Sequence, residues 1–328
     1  MLKDVIGIGA LNIDLIYEVK KPRLEKEAPV KVEHGGEVFH SPEEFELILS
    51  WINRVGHLVW ESGGGQAANT CYALARLGFK VGFIGVVGKD KFGHFLLESL
   101  SGVDTSRVRK RGRSGVCVVL LDESGERTNF VFPNANDTLS LDDFDFSYLN
   151  TTRYLYLSSF AGKRPLEAQK KLVEKVSPSV KIALDPGELH AQRGLKELEP
   201  ILKRCSLLFA TEREVEYLTG EKAPKGIGKL LEKGVSVIVV KKGSRGSEIY
   251  TEKERLEVPA WQVGVVDTTG AGDVYAAGFL AALLLGKSLE KAGHIASKLA
   301  SSAVQGYGRQ GYPSQDELEV ILEEMTSG

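Results

Sequence analysis

The sequence predicts an α/β fold, a three-layer α/β/α sandwich with a mostly parallel central sheet. Two observations carry that expectation. From Tyr154 onward, short apolar runs alternate with amphipathic stretches: strands are expected at Tyr154–Leu157, Ile182–Asp185, Leu207–Ala210 and Val235–Val240, with helices between them. Runs that are apolar throughout imply strands buried on both faces, as in a parallel sheet covered by crossover helices. The second observation is a bare turn, Gly270-Ala271-Gly272, that opens a helix. Val274, Ala277, Gly278, Ala281 and Leu284 recur at helical spacing, and Gly286 can close the helix in a left-handed cap. Such sheets bind ligands at the carboxyl ends of their strands, where the motifs below all fall.

Composition sets the bounds. The 328 residues suffice for one large domain or two small ones; with no linker and no internal repeat, a single domain is expected over the whole chain. A hydrophobic fraction of 42% with 26% charged residues supports both a core and a soluble surface, and the formal charge of -2 offers no field for nucleic acid. Cys71, Cys117 and Cys205 show neither metal spacing nor a disulfide framework, which fits a reducing cytoplasm. The start of the chain lacks the layout of a signal peptide, and the longest apolar run, Val274 to Leu285, is too short for a bilayer. A cytoplasmic protein without nucleic-acid or membrane partners is expected.

The mouth of the Gly270-Ala271-Gly272 helix is a phosphate cradle, because its backbone N–H groups are uncovered and the helix dipole favours an anion there. Asp273 has an ordinary reading as an acidic residue at a helix start. Beside an anion site, however, a carboxylate repels the phosphate unless it has a task, and accepting the proton of an attacking hydroxyl is such a task.

The run Asp267-Thr268-Thr269-Gly270-Ala271-Gly272-Asp273 resembles the second signature of the ribokinase family of sugar and nucleoside kinases, also called the phosphofructokinase B-type family. Gly64-Gly65, three residues, then Asn69 resembles its first signature. The resemblance spans nearly the whole chain and implies a ribokinase-like sandwich carrying a small β lid. It implies transfer of the terminal phosphoryl group of ATP or ADP to a hydroxyl of a sugar, a sugar phosphate or a nucleoside. Asp273 would be the base, and the amides of Gly270, Ala271 and Gly272 would stabilise charge on the transferring group.

In chain order, Val5 to Ala10 reads as a buried strand leading into residues 11–19. Gly7-Ile8-Gly9 invites a dinucleotide reading, but Asn12 stands where that fingerprint needs its third glycine. By resemblance, Asn12 and Asp14 bond acceptor hydroxyls; a turn built by Asn and Asp side chains is the alternative. The lid is expected from residues 15–33 and from the hairpin Val116–Leu121/Thr128–Phe132, within 113–132. Between them, Ser41-Pro42-Glu43-Glu44 starts a helix whose apolar face is Phe45, Ile48, Leu49, Ile52 and Val55. Residues 34–59 exceed the family pattern and look like an insertion. Their His34, His40, Arg54 and His57, with Arg109, Lys110, Arg111 and Arg113, are expected near the ligand rim, where they would receive an anionic acceptor; a helix packed on the outside or at a dimer interface reads the pattern equally well.

Gly64 and Gly65 let the backbone approach a polyol, and Asn69 projects from the start of a helix that runs to Leu77 with Gly78 as cap. Val81 to Val87 is a further strand. Lys242, Gly243, Ser244 and Gly246 form a glycine-rich turn similar to one that lines the family's nucleotide site, though an ordinary hairpin turn reads the same way. Thr211 stands where the family carries Asn in an Asn-x-x-Glu motif; Glu214 keeps its part, holding Mg2+ through ordered water. Asp267 and Thr269, with Gly306 to Gly308, resemble a loop that binds a monovalent cation such as K+. Gly286-Lys287-Ser288 mimics the end of a P-loop, but Ala281 replaces its first glycine. The resemblance also implies a homodimer joined through the lids. A non-catalytic ligand sensor on the same fold is the rival in kind, and an intact Asp273 argues against it.

Overall fold

Side chains that alternate across each strand of the central sheet feed two separate cores. Ile6, Ile8, Leu155, Leu157, Ile182, Leu184, Leu208, Ile238 and Val240 point to one face. Val5, Tyr154, Tyr156, Ala183, Leu207, Phe209 and Val239 point to the other. In the computed structural model, which describes residues 2–19, 28–30, 37–122 and 127–327, these strands form an eight-stranded sheet. Its order is Arg255–Val258, Ser247–Tyr250, Val237–Lys241, Cys205–Thr211, Lys181–Asp185, Thr152–Ser158, Lys3–Ile8 and Val81–Ile84. The first two pairings in this order are antiparallel and the other five are parallel. The four strands expected after Tyr154 are therefore present within a few residues of their predicted limits. The chain enters the sheet at Lys3–Ile8 and returns on its other side at Thr152–Ser158, which opens a crevice at their carboxyl ends.

Gly7 and Gly9 prove to be packing residues. A Cβ on Gly7 would lie 2.2 Å from Cys71 Sγ, and one on Gly9 would lie 2.7 Å from Ala67 Cβ. Their bareness brings the helix Gln66–Arg76 down onto the first strand. The helix Ala271–Leu284 lies on the same face, beside Gln66–Arg76 and Leu289–Ala303. It ends at Gly286, which has φ +74° as expected.

A second sheet, of five strands, stands apart from the first in the order Glu37–Phe39, Arg127–Phe132, Gly115–Leu121, Asn12–Val19 and Gly56–Gly64. It is broader than the segments expected to build it, since two strands come from residues 37–64. Residues 20–27 and 31–36, and the hairpin turn at 123–126, lie outside the described residues. Strict alternation gives this sheet two unlike faces. Ile13, Leu15, Tyr17, Val116, Val118, Leu120, Phe130 and Phe132 are buried on one face, under the helix Phe45–Val55. That helix contributes Ile48, Trp51, Ile52 and Val55, with Trp51 edge-on to Phe130 at 6.0 Å. Asn12, Asp14, Cys117, Val119, Asn129 and Val131 point the opposite way, into a cavity.

The expected helix is thus present, but it backs the second sheet and does not reach the ligand rim. His40 packs against Phe130 and Phe132, 5.4 and 5.7 Å away. His57 is exposed beside Glu18, and Arg111 is taken by Asp143 at 2.6 Å. Arg54, Arg109, Lys110 and Arg113 are exposed or partly so and line no cavity described below, and His34 lies outside the described residues.

Candidate active site

Two cavities open at the carboxyl ends of the central strands, and the loop from Thr268 to Gly272 divides them. Thr268, Ala271 and Gly272 line the first; Thr269 lines the second. The loop is shaped by Gly270, which sits at φ +77° with no room for a Cβ, since that atom would fall 2.1 Å from Tyr312 Oη. Only glycine meets both conditions without strain. Gly272 is less constrained, because its Cβ would meet Lys241 Nζ at 3.5 Å, an ordinary contact.

Asp273 follows this loop in the first turn of the helix. Its Oδ2 accepts a 2.8 Å hydrogen bond from Asn69 Nδ2, and Asn69 Oδ1 accepts one of 3.0 Å from Arg309 Nε. Arg309 is itself anchored on Ser99, through its carbonyl at 3.2 Å and its hydroxyl at 3.1 Å, and lies over the ring of Tyr72. Burial, reinforced by the charge of Asp185, raises the Asp273 pKa to about 7 against the opposing bond from Asn69. A carboxylate with that pKa is poised to exchange a proton near neutrality. Asn69 lines neither cavity; its side chain orients the Asp273 carboxylate.

The first cavity, about 410 Å³, meets three of the expected residues at one end: Gly243, Ser244 and Gly246 of the glycine-rich turn. Thr211 also lines it, while Trp261, Val263, Val265 and Val304 give it an apolar wall that sequence reasoning missed. Trp261 is 57% exposed and Val265 61%, so this wall faces solvent. Lys242 does not line the cavity: its ammonium is taken by Glu248 and lies 3.6 Å from Glu212. Its neighbour Lys241 does line it, on an ion pair of 2.6 Å with the buried Asp185.

Thr211 and Glu214 close a reciprocal capping box at the start of the helix Glu212–Thr219. Glu214 Oε2 accepts from Thr211 N at 2.7 Å, and Thr211 Oγ1 accepts from Glu214 N at 3.2 Å. Burial and the charge of Asp185 raise the pKa of Glu214. Among the described residues, no group of three or more His, Cys, Asp and Glu side chains is arranged to hold a metal ion unaided.

The second cavity, about 320 Å³, lies between the central sheet and the polar face of the second sheet. It contains Asn12, Asp14 and Gly65 of the expected set, with Gln66, Asn129, Asn136, Ser159 and Glu188 in addition. Gly64 lines no wall but makes room for one, because a Cβ there would fall 2.1 Å from Asp14 Oδ2. Asn136 fixes Asn12: its Nδ2 donates to Asn12 Oδ1 at 2.8 Å, while its Oδ1 accepts from Leu11 N at 2.9 Å. Asn129 Oδ1 is buried without a hydrogen-bond partner. Behind the wall, His190 Nε2 accepts from Phe160 N at 3.1 Å, and Arg193 Nη2 donates to Ala161 O at 2.6 Å. Burial pushes the His190 pKa down to about 3, so the ring is neutral and keeps its acceptor lone pair.

Asp267 ties two distant segments together. Its Oδ1 accepts from Thr269 N and Oγ1 at 2.9 and 2.7 Å, and its Oδ2 accepts from Gly308 N at 3.1 Å. No helix among the described residues is long and apolar enough to cross a membrane.

Comparison with known proteins agrees with this geometry. The family model of the pfkB family carbohydrate kinases matches residues 52–316. An uncharacterized sugar kinase of Archaeoglobus fulgidus is 36% identical over 247 residues, covering 73% of this chain and 98% of its own. An ATP-dependent ribose-1-phosphate kinase of Halopiger xanaduensis is 31% identical over 268 residues, covering 80% of this chain and 88% of its own. Among solved structures, the adenosine kinase of Sinorhizobium meliloti superposes with a TM-score of 0.85 at 23% identity, over 98% of this chain and 100% of that one. An uncharacterized sugar kinase of Pyrococcus horikoshii, in complex with ATP, does so with a TM-score of 0.73 at 26% identity, over 95% and 96%. A bare anion loop, a carboxylate behind it and a cavity on either side thus occur in a chain that belongs to the pfkB family of carbohydrate kinases, on the ribokinase-like fold.

Proposed function

We propose that the protein transfers the γ-phosphoryl group of ATP to a hydroxyl of an unphosphorylated sugar or nucleoside. One observation carries this reading: Asp273, held by Asn69, stands in the first turn of the helix directly behind the Thr268–Gly272 loop that divides the two cavities. ATP occupies the first cavity, its base against the apolar wall and its phosphates at the Gly270–Gly272 amides. The relatives named for ATP use and bound to ATP support that donor. The acceptor fills the second cavity, where Asn12, Asp14, Asn129 and Asn136 exchange hydrogen bonds with hydroxyls. Asp273 takes the proton of the attacking hydroxyl, and the loop amides bind charge on the group in flight.

Magnesium fits the site as an ion brought in with the nucleotide. Glu214 and the buried Asp185 are neighbouring carboxylates, and Mg2+ is commonly held by one or two carboxylates, water and substrate phosphates. When bound, it neutralises phosphate charge. A K+ ion beside the Asp267 and Gly308 segments would shape the anion loop from behind. The second sheet acts as a lid on a single kinase domain, excluding water from the transfer. Its edge strand exposes Leu58, Val59 and Trp60, 42%, 41% and 49% accessible, which supports a homodimer joined there. Cys71, Cys117 and Cys205 are buried and joined by no disulfide, which suits the cytoplasm.

The described lining of the second cavity contains Asp14 and Glu188 and no Lys or Arg, which favours a neutral acceptor. Similarity to the Halopiger xanaduensis enzyme favours a second reading, in which ribose 1-phosphate is the acceptor. A panel of sugars, nucleosides and sugar phosphates with ATP and Mg2+ decides. The first reading expects kcat/KM for the best neutral acceptor to exceed that for any sugar phosphate by at least about tenfold. The reverse order favours the second reading, and no transfer to any acceptor ends both and leaves a ligand sensor.

A further inference from the structure

Lys241 is the last residue of the strand Val237–Lys241 and belongs to none of the roles above. Its Nζ lies 2.6 Å from Oδ2 of Asp185, whose side chain is fully buried. Tyr156 Oη donates to the same carboxylate oxygen at 3.5 Å, so Asp185 is held from two sides. A Cβ built on Gly272 would stand 3.5 Å from Lys241 Nζ, which places the ammonium beside the anion loop, on the wall of the first cavity. Burial alone would push the proton off this amine, but the charges of Asp185, Glu214 and Asp273 outweigh it and hold the pKa above its ordinary value.

The balance of charge around it is informative. Three carboxylates, Asp185, Glu214 and Asp273, act on one ammonium where a triphosphate must end. A buried ion pair is weak evidence for a stabilising role, because desolvation offsets most of its attraction. A cation on a cavity wall, beside bare amides at a helix mouth, is by contrast the arrangement that stabilises charge on a transferring phosphoryl group.

We propose that Lys241 is a catalytic residue whose ammonium hydrogen-bonds an oxygen of the γ-phosphoryl group, with Asp185 as the residue that positions it. In the step it assists, the acceptor oxygen forms a bond to the γ-phosphorus and the bond from that phosphorus to the β,γ-bridging oxygen breaks. The acceptor proton passes to Asp273, and ADP leaves with the electron pair. The proposal rests on the phosphoryl-transfer reading above, and its test separates the two, because the binding arm needs no turnover.

Lys241→Met and Lys241→Arg are compared with the wild type, with Trp261 fluorescence reporting nucleotide in the first cavity. Lys241→Met should weaken a non-hydrolysable ATP analogue by about tenfold, the loss of one charge-assisted hydrogen bond, and leave ADP within about twofold. Its kcat should fall by at least about a hundredfold with the acceptor KM nearly unchanged. Lys241→Arg keeps the pair with Asp185 and thus the fold; it should melt like the wild type yet lose about tenfold in kcat, because a planar fork cannot reproduce a point donor. Equal loss of ADP and analogue, or turnover within about threefold of wild type in either variant, overturns the proposal. A wild type that transfers nothing, but whose analogue affinity depends on Lys241 as stated, would retain the γ-phosphate contact and sink only the functional reading.

Discussion

The two cavities divided by the Thr268–Gly272 loop are built on different principles. The first is made by the central body alone: ends of adjacent strands, a glycine-rich turn and a helix mouth supply the polar part, and Trp261, Val263 and Val265 the apolar part. The second is shared, with Ser159, Phe160 and Glu188 on the body and Asn12, Asp14 and Asn129 on the second sheet. On the proposed reading, one site recognises phosphates largely through backbone, which tolerates many sequences. The other recognises hydroxyls through side chains, each of which must be set. Variation in the second sheet can therefore change the acceptor without touching the donor.

Asp273→Asn is the substitution that breaks the link between the two halves. Turnover should fall by at least about a hundredfold while ATP and acceptor still bind, and turnover within a few-fold of wild type removes the base from the mechanism. The pKa adds a sign to this test. Because burial raises it to about 7, kcat/KM should decline as pH drops through about 7, when the carboxyl becomes protonated and cannot accept. The same shift makes the charged form a burden on folding that grows above the unfolded pKa of about 3.9 and levels off above about 7. Asp273→Asn should accordingly melt higher than the wild type at pH 8, and the gain should vanish towards pH 4; thermal melts at both values check this.

Asn136→Ala tests the acceptor half by itself. It frees Asn12 and leaves the Leu11 amide without its partner, so acceptor KM should rise by about tenfold, with ATP KM steady. Equal changes in both constants would mean that the halves are not separable. Trp261→Ala is the mirror experiment: ATP KM should rise by roughly fivefold through loss of stacking area, and acceptor KM should hold.

The sequence revealed the first half better than the second, for a physical reason. A helix mouth, a glycine-rich turn and buried parallel strands are local patterns, so Gly270 to Asp273, Gly243 to Gly246 and the strands after Tyr154 can be read from neighbours in the chain. Asn129, Asn136, Gln66 and Glu188 lie far apart in sequence, on a strand, a turn and two helix starts, and only the tertiary fold collects them. The edge strands Glu37–Phe39 and Gly56–Gly64 escaped notice because an exposed edge has no need of the apolar alternation that marks a buried strand. Lys241 and Lys242 show the limit at one step of the chain. Lys241 ends its strand on the cavity wall while Lys242 opens the turn that follows and pairs with Glu248, and nothing in the two letters says which does which.

The smallest effect is expected where the sequence suggested a large one. The basic residues of 34–59 were expected to receive an anionic acceptor, yet the helix Phe45–Val55 lies on the apolar face of the second sheet, and Asn12, Asp14 and Asn129 look out from the other. One thickness of sheet separates Arg54 from the cavity, and His57, across from Glu18 at the far end of its strand, lines no part of it; both side chains are in water, where their charge is screened. Arg54→Ala with His57→Ala should change acceptor KM by less than about twofold and leave the acceptor ranking intact. Trp51→Ala sharpens the contrast, since it empties the centre of that packing and should cost about 3–5 kcal/mol of stability, read by denaturant unfolding. At a temperature where this variant is still folded, its acceptor ranking should match the wild type. A reordered ranking in either variant would show that the back of the sheet does reach the acceptor, and that the two faces are not independent.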